Sequence, residues 1–217
     1  MGPVLPFSAE ALDALIGLYN LAIWPVPLLG AALAAAAVAH SLRPVRGGDH
    51  LVAALLAVAW GWVGIVFHVR QVAAIDFMAP VYGAFFVLQA LLLAWAGATS
   101  RWQPLRFRPD VGGWTGLGLA TVAVVGYPIL AVLTGHDWPR IPFASTAPDP
   151  TVMLTLGLLM LSAGPVRLYL LAVPVLWSLV AGMTALSLDT PDRLILPAAA
   201  GLAVGVELWI RRRRPSA

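Results

Sequence analysis

Apolar runs long enough to cross a lipid bilayer recur along most of the chain and are separated by short polar stretches. A helix needs about 20 predominantly apolar residues to cross roughly 30 Å of hydrocarbon. Seven segments approach that length, at residues 19–39, 51–67, 77–98, 114–134, 151–166, 168–188 and 194–210. The pattern predicts an all-α protein in which residues 1–217 form a single polytopic bundle of about seven transmembrane helices.

The first segment follows a distinct N-terminal stretch, and the fifth is the shortest of the seven. Residues 1–18 are predicted to form an interfacial segment, in which Ser8 caps a short amphipathic helix. Trp24 and Pro25 predict a kink soon afterwards, because proline has no amide hydrogen to donate. Only 14 residues lie between Pro150 and Pro165, which is about 21 Å of helix. The fifth segment is therefore predicted to be a short crossing, with a re-entrant half-helix as the alternative.

The distribution of arginine favours a crossing by the fifth segment. With seven crossings, ten of the 13 arginines fall on one side of the membrane: Arg43, Arg46, Arg101, Arg106, Arg108, Arg167 and Arg211 to Arg214. Basic residues concentrate on the cytoplasmic side, so we predict an N-terminus outside, a C-terminus inside and a basic cytoplasmic tail at 211–217. Most acidic residues then fall outside. That acidic face either maintains orientation and solubility or attracts cations.

Composition narrows the classes of protein and cofactor. The chain is 60% hydrophobic and 11% charged, whereas soluble domains are about 25% charged. It contains no cysteine, which excludes iron–sulfur clusters and c-type haem attachment. All 13 basic residues are arginine, so retinal and PLP Schiff bases are excluded because both require lysine. The arginines flank apolar segments and do not indicate nucleic-acid binding. Arginine without lysine indicates a bacterial source, and the apolar segments then indicate the inner membrane.

Ionisable residues at the predicted helix ends are the first candidates for chemistry. His68 ends the second segment, Asp76 precedes the third within its entry turn, His136 and Asp137 end the fourth, and Asp149 precedes the fifth. All should lie at the outer rim. Imidazole and carboxylate suit a divalent metal or a proton relay. We name His68, His136 and Asp149 as the candidate metal ligands. The alternative is that these residues cap helices and turns.

Three neutral polar residues near or within apolar runs complete the candidate set for binding a substrate or ion. They are Asn20, Gln89 and Tyr127. Gln89 lies midway along the third segment, where its amide must find a partner. Pro128 and Pro174 interrupt the fourth and sixth segments. Such breaks line solute sites in some transporters and are ordinary kinks in other proteins.

The order and spacing of several short motifs resemble the DUF6064 family of bacterial membrane proteins. The motifs are LYNLAIWP at 18–25, WGWVGIVFH at 60–68, IDFMAP at 75–80, FFVLQ at 85–89, GYP at 126–128, PDPTVMLTLGLL at 148–159 and VPVLWSL at 173–179. Two positions depart from the family pattern: Asp76 stands where members tend to have Asn, and Asp149 where members often have Cys. The resemblance implies no reaction, cofactor or partner.

The leading hypothesis is transport or binding of a small solute or cation from the outer face of the membrane. One alternative is an intramembrane metal-dependent enzyme that uses the same histidines and aspartates. Another is a non-catalytic accessory subunit, whose partners would be a second copy or a larger membrane complex. The sequence assigns no enzyme activity, and it leaves the cofactor unknown apart from the candidate divalent metal.

Overall fold

The computed structural model describes residues 5–99 and 101–213. Over these ranges the chain is helical and forms no strand, which confirms the all-α prediction. The helices are α1 Ala9–Ala22, α2 Val26–Leu42, α3 Gly48–Trp62, α4 Ala79–Ala98, α5 Val111–Thr121, α6 Tyr127–Leu133, α7 Pro148–Met160, α8 Leu168–Ser187 and α9 Ile195–Arg213. The predicted cytoplasmic tail is helical over Arg211–Arg213 as part of α9, and Arg214 lies outside the described residues.

Two π-helices lengthen α-helices into continuous rods. α3 continues through a π-helix at Val63–Gln71 and a 3-10 turn at Val72–Ala74, and we call Gly48–Ala74 the α3 rod. A second π-helix at Val122–Gly126 joins α5 to α6, and we call Val111–Leu133 the α5–α6 rod. Both rods carry residues that prove to be important for the candidate site.

Five continuous helical stretches among the described residues are long and apolar enough to cross a membrane. They are the α3 rod, α4, the α5–α6 rod, α8, and α9 with the 3-10 turn before it. α1 and α2 would together make a sixth, although they are bent by 89°. The structure therefore does not confirm the count of seven. The difference arises because the first predicted segment is divided and the fifth is only the 13-residue helix α7.

The bend between α1 and α2 lies at the predicted Trp24–Pro25 kink. Ser8 caps α1 as predicted, with its Oγ accepting a hydrogen bond from the Ala11 amide at 3.3 Å. The predicted first span, 19–39, is corrected: residues 19–22 belong to α1, and α2 begins only at Val26. α1 is fixed by the chain that precedes α7, because Tyr19 donates its hydroxyl hydrogen to the Thr146 carbonyl at 2.9 Å.

α7 lies at the centre of the bundle. Every residue from Pro150 to Met160 is buried, and the helix packs against α3, α5, α8 and α9. A helix that is apolar on all faces belongs in such a position. The contact with α5 is a backbone contact: a Cβ added to Gly157 would come within 2.5 Å of the Ala120 nitrogen and 2.8 Å of the Gly116 oxygen.

The two ends of the bundle differ in charge. At one end, Asp49 accepts hydrogen bonds from His40 and from the Leu105 amide, both at 2.9 Å. Glu207 forms an i,i+4 pair with Arg211 at 2.7 Å. We call this end, which also carries Arg43, Arg46, Arg101, Arg106, Arg108 and Arg167, the arginine end. We call the opposite end, which carries Asp13, Asp76, Asp149 and Asp192, the acidic end.

The outward faces of the long helices are apolar. Val58 on α3 is 69% exposed, Leu91 on α4 is 63% exposed and Met183 on α8 is 62% exposed. Monomeric soluble proteins rarely expose apolar surface of this extent. The apolar helices are thus compatible with a membrane protein.

Candidate functional site

A cavity of about 150 Å³ lies at the acidic end of the bundle. It is bounded by α1, the end of the α3 rod, the start of α4, α6, the start of α7 and α8. Five of the eight residues that the sequence singled out contribute to its walls: His68, Asp76, Tyr127, His136 and Asp149. The structure therefore brings together residues that are far apart in the sequence: His68 and Asp149 are separated by 81 positions.

Trp177 connects the polar and aromatic walls of the cavity. Its Nε1 donates a hydrogen bond to Asp149 Oδ1 at 2.9 Å. Its ring lies 4.9 Å from the ring of His68 and 5.5 Å from that of Tyr82, centroid to centroid and in edge-to-face geometry. The rings of His68 and Tyr82 therefore lie beside the indole that binds the Asp149 carboxylate.

Two buried polar side chains in the cavity wall have no partner among the described residues. His68 is 1% exposed, and neither of its ring nitrogens takes part in a hydrogen bond. The Tyr127 hydroxyl is also without a hydrogen bond. Most buried polar atoms in folded proteins are hydrogen-bonded, and leaving one unsatisfied costs about 1–3 kcal/mol. Both residues contribute to the cavity wall and thus hold donor and acceptor capacity that no described group uses.

Irregular helix geometry places these two side chains. His68 lies within the π-helix of the α3 rod, and Tyr127 directly follows the π-helix of the α5–α6 rod. Pro128 has no amide hydrogen, so it cannot donate a hydrogen bond to the carbonyl one turn earlier. The series of α-helical hydrogen bonds is interrupted at that point. π-Helices are frequent at functional sites because they redirect side chains. Gly64 holds the α3 rod close to α4, since a Cβ there would lie 2.9 Å from the Gly83 oxygen.

An ion-pair network lies at the rim of the cavity, between α1 and the rest of the bundle. His136 Nε2 lies 3.1 Å from Asp13 Oδ2, and Arg193 pairs with the other oxygen of Asp13. Asp13 belongs to α1, His136 follows α6, and Arg193 lies in the 3-10 turn before α9. α1 is thereby fixed across one side of the cavity. Arg140 and Asp192 also contribute to the rim.

Comparison with known families identifies the chain. The model of a family described as "Family of unknown function (DUF6064)" matches residues 9–216. The chain belongs to the DUF6064 family. Neither a curated protein nor a solved structure shows a significant match to it.

Membership in DUF6064 confirms the resemblance that the sequence motifs indicated. The match covers nearly the whole chain, so the cavity and the helices around it lie within the family region. The family description carries no activity. What this DUF6064 protein binds or does must therefore be argued from the geometry of its own side chains.

Three of the eight candidates do not line the cavity of this DUF6064 protein. Asn20 donates to the carbonyls of Pro139 and Ile141 at 2.7 and 2.8 Å, which attaches the loop after α6 to α1. Gln89 donates to the Leu170 carbonyl at 3.0 Å and links α4 to α8. Asp137 is exposed. The first two are positioning groups rather than groups that face a solute.

Asp76 fits the capping interpretation. Its Oδ1 accepts a hydrogen bond from the Met78 amide at 2.8 Å, in the turn that precedes α4. It is 6% exposed and also contributes to the cavity wall. A carboxylate that caps a turn in this way still adds negative charge to the cavity.

The structure does not assemble the candidate metal ligands. Across residues 5–99 and 101–213, no group of three or more His, Asp or Glu side chains is placed to hold a metal ion. His68 lies among aromatic rings, Asp149 is bonded to Trp177, and His136 lies at the rim beside Asp13. A coordination sphere needs all three side chains within about 2.0–2.2 Å of one ion, and the described residues do not bring them together in this way.

The sequence did not identify Trp177, Asp13 or Arg193 as site residues. In the sequence, Trp177 is typical of core packing, and Asp13 is typical of a favourable charge near a helix N-terminus. The spacing of Trp177 three residues after Pro174 was the available signal, because a proline break alters which side chains face the interior. The long-range pairing of Asp13 with Arg193 had no local signal.

Proposed function

We propose that this DUF6064 member is a multi-pass protein of the bacterial inner membrane that binds a small solute from the outer face, as a transporter or as a solute-binding subunit. The observation that carries this proposal is the cavity at the acidic end. Its wall contains two buried polar side chains, His68 and Tyr127, that have no hydrogen-bond partner among the described residues. Small-solute sites typically combine an apolar wall with a few convergent polar groups.

The proposed orientation places the arginine end in the cytoplasm. It treats α7 as a seventh, short crossing inside the bundle, where it needs no lipid contact of its own. The hydrogen bond from the Arg106 amide to the Leu161 carbonyl at the arginine end, and the place of Asp149 in the cavity wall at the acidic end, support opposite ends for the two termini of α7. The concentration of arginines at one end agrees with the positive-inside tendency.

Single-cysteine labelling tests the proposal directly, because the chain has no cysteine of its own. Asp189→Cys reports on the acidic end, Arg43→Cys on the arginine end, and Thr184→Cys on the cavity. With intact bacterial cells and a membrane-impermeant maleimide, we expect Asp189→Cys to react rapidly and Thr184→Cys to react more slowly, since Thr184 is half-buried. Arg43→Cys should react only after the membrane is disrupted.

Two results would contradict the proposal. Labelling of Arg43→Cys but not Asp189→Cys in intact cells would reverse the orientation. Rapid labelling of Asp189→Cys with no labelling of Thr184→Cys, even after the cells are opened, would mean that no aqueous route reaches the cavity from either side.

A further inference from the structure

We propose that the ligand of the cavity is a small primary ammonium ion. This inference rests on the proposed function, because it names the class of solute that the same cavity would take. Three independent properties of the wall carry it: its charge, its hydrogen-bonding groups, and its aromatic surface and size.

The charge of the wall favours a cation. Four carboxylates contribute to the wall, from Asp13, Asp76, Asp149 and Asp192, against two guanidinium groups, from Arg140 and Arg193. Arg193 is already paired with Asp13. Asp149 forms no ion pair among the described residues, and its one hydrogen bond comes from the neutral indole of Trp177. A partly buried carboxylate without an ion pair is stabilised by a counter-charge, and a bound cation supplies one.

The hydrogen-bonding groups match an ammonium ion that has N–H donors. Asp149 retains a second carboxylate oxygen that no described group donates to. A neutral His68 ring offers one nitrogen as an acceptor, and the Tyr127 hydroxyl oxygen offers another. These three side chains come from α7, the α3 rod and the α5–α6 rod. A primary ammonium carries three donors, whereas a quaternary ammonium carries none.

The aromatic surface and the size of the cavity limit the rest of the ligand. Phe67, His68, Tyr82, Tyr127 and Trp177 all contribute rings to the wall. Aromatic faces attract cations through the ring quadrupole and also accept apolar groups. A cavity of about 150 Å³ is comparable to one that holds a single benzene molecule. The ligand is therefore a compact alkylammonium or arylalkylammonium ion rather than a polyamine or a lipid headgroup with its chains.

Calorimetric titration of the purified full chain in detergent tests this inference with three probes of similar shape. Butylammonium, 1-butanol and butyrate differ mainly in the charge of one end. We expect butylammonium to bind and the other two to bind at least tenfold more weakly. Asp149→Asn should weaken butylammonium binding by about tenfold or more, because a charge-assisted hydrogen bond is lost. Asp189→Asn is the matched control: it removes an exposed carboxylate at the same end of the protein and should change the affinity less than about twofold.

Tyr127→Phe keeps the inference testable if Asp149→Asn does not fold. The Tyr127 hydroxyl bonds to no other described group, so its removal should leave the fold intact. We expect it to weaken butylammonium binding several-fold and to leave the binding of tetramethylammonium, which has no N–H donor, unchanged.

The outcomes separate the two proposals. Butanol or butyrate binding as tightly as butylammonium, with no effect of the Asp149 substitution, would overturn the ammonium ligand and leave the solute cavity in place. Absence of butylammonium binding by the folded wild type would also overturn the ammonium ligand. The proposed function itself is overturned by the labelling experiment, through a reversed orientation or an inaccessible Thr184→Cys, and not by these calorimetric results.

Discussion

Trp60 is a large side chain with no exposure, and its indole N–H is satisfied by a single partner. Its Nε1 donates to Thr155 Oγ1 at 2.8 Å, and the Thr155 hydroxyl in turn donates to the Thr151 carbonyl at 2.8 Å. α3 and α7 are thereby joined through one threonine at the centre of the protein. A buried hydroxyl that both donates and accepts is costly to replace.

We expect Thr155→Val to destabilise the protein by about 1–3 kcal/mol, because valine has the shape of threonine but leaves the Trp60 indole without an acceptor. The free energy of unfolding can be measured by denaturation in mixed detergent micelles. Trp60→Phe and the double variant complete a double-mutant cycle. Strictly additive effects would show that the hydrogen bond does not couple the two residues.

At this scale the sequence identified the residue types but not their partners. His68, Tyr127 and Asp149 attract attention because polar groups are rare in apolar segments. Trp177 does not, because tryptophan is common at membrane interfaces and in cores alike. Its bond to Asp149 joins residues 28 positions apart on different helices. No local pattern in the sequence reports such a pairing.

At the scale of helices, Gly157 controls the approach of α7 to α5. A Cβ at this position would contact backbone atoms of Ala120 and Gly116 rather than movable side chains. We expect Gly157→Ala to force the two helices apart and to destabilise the protein by about 1–3 kcal/mol. The measurement is the same unfolding titration in mixed micelles.

Gly118→Ala on α5 is the matched control for this prediction. A Cβ at Gly118 would meet nothing within 4 Å, and alanine is the better helix former by up to about 1 kcal/mol. Gly118→Ala should therefore be neutral or slightly stabilising. Equal losses of stability for the two variants would mean that helix separation is not the cause.

Hydropathy predicted the long helices well, because an apolar run of 20 residues has few other structures open to it. It placed α7 less well. A helix that is apolar on every face gives the same pattern whether lipid or protein surrounds it. For the first segment, the sequence indicated only a kink at Pro25. The angle of 89° between α1 and α2 goes with the attachment of α1 to the distant loop after α6, which no local pattern reports.

For the whole molecule, enclosure of α7 by its neighbours predicts a gradient of local stability. Opening α7 requires separation of α3, α5, α8 and α9, whereas α1 is attached mainly through the rim and loop contacts. Hydrogen exchange of the protein in lipid nanodiscs, followed by mass spectrometry, should find the α7 amides slowest and the α1 amides among the fastest helical ones. Faster exchange in α7 than in α4 would contradict this order.

The charge pattern of the chain is the whole-molecule property that the sequence conveys most clearly. Arginines at one end and carboxylates at the other are visible once the apolar segments are counted. The cavity is not visible in this way, because it depends on how six helical segments and a loop close around one volume. The acidic end predicts where a cation site would lie, and only packing decides whether space for one exists.

The central position of α7 also has a consequence for biogenesis. α8 and α9 form part of its enclosure, yet both are synthesised after it. When α7 leaves the ribosome, two of the four helices that will enclose it have not yet been made. Its 13 residues must stay uncovered or take a provisional position until the last two helices have been made. Truncation of α9 would then leave the central helix α7 partly uncovered, and would not only remove a peripheral helix.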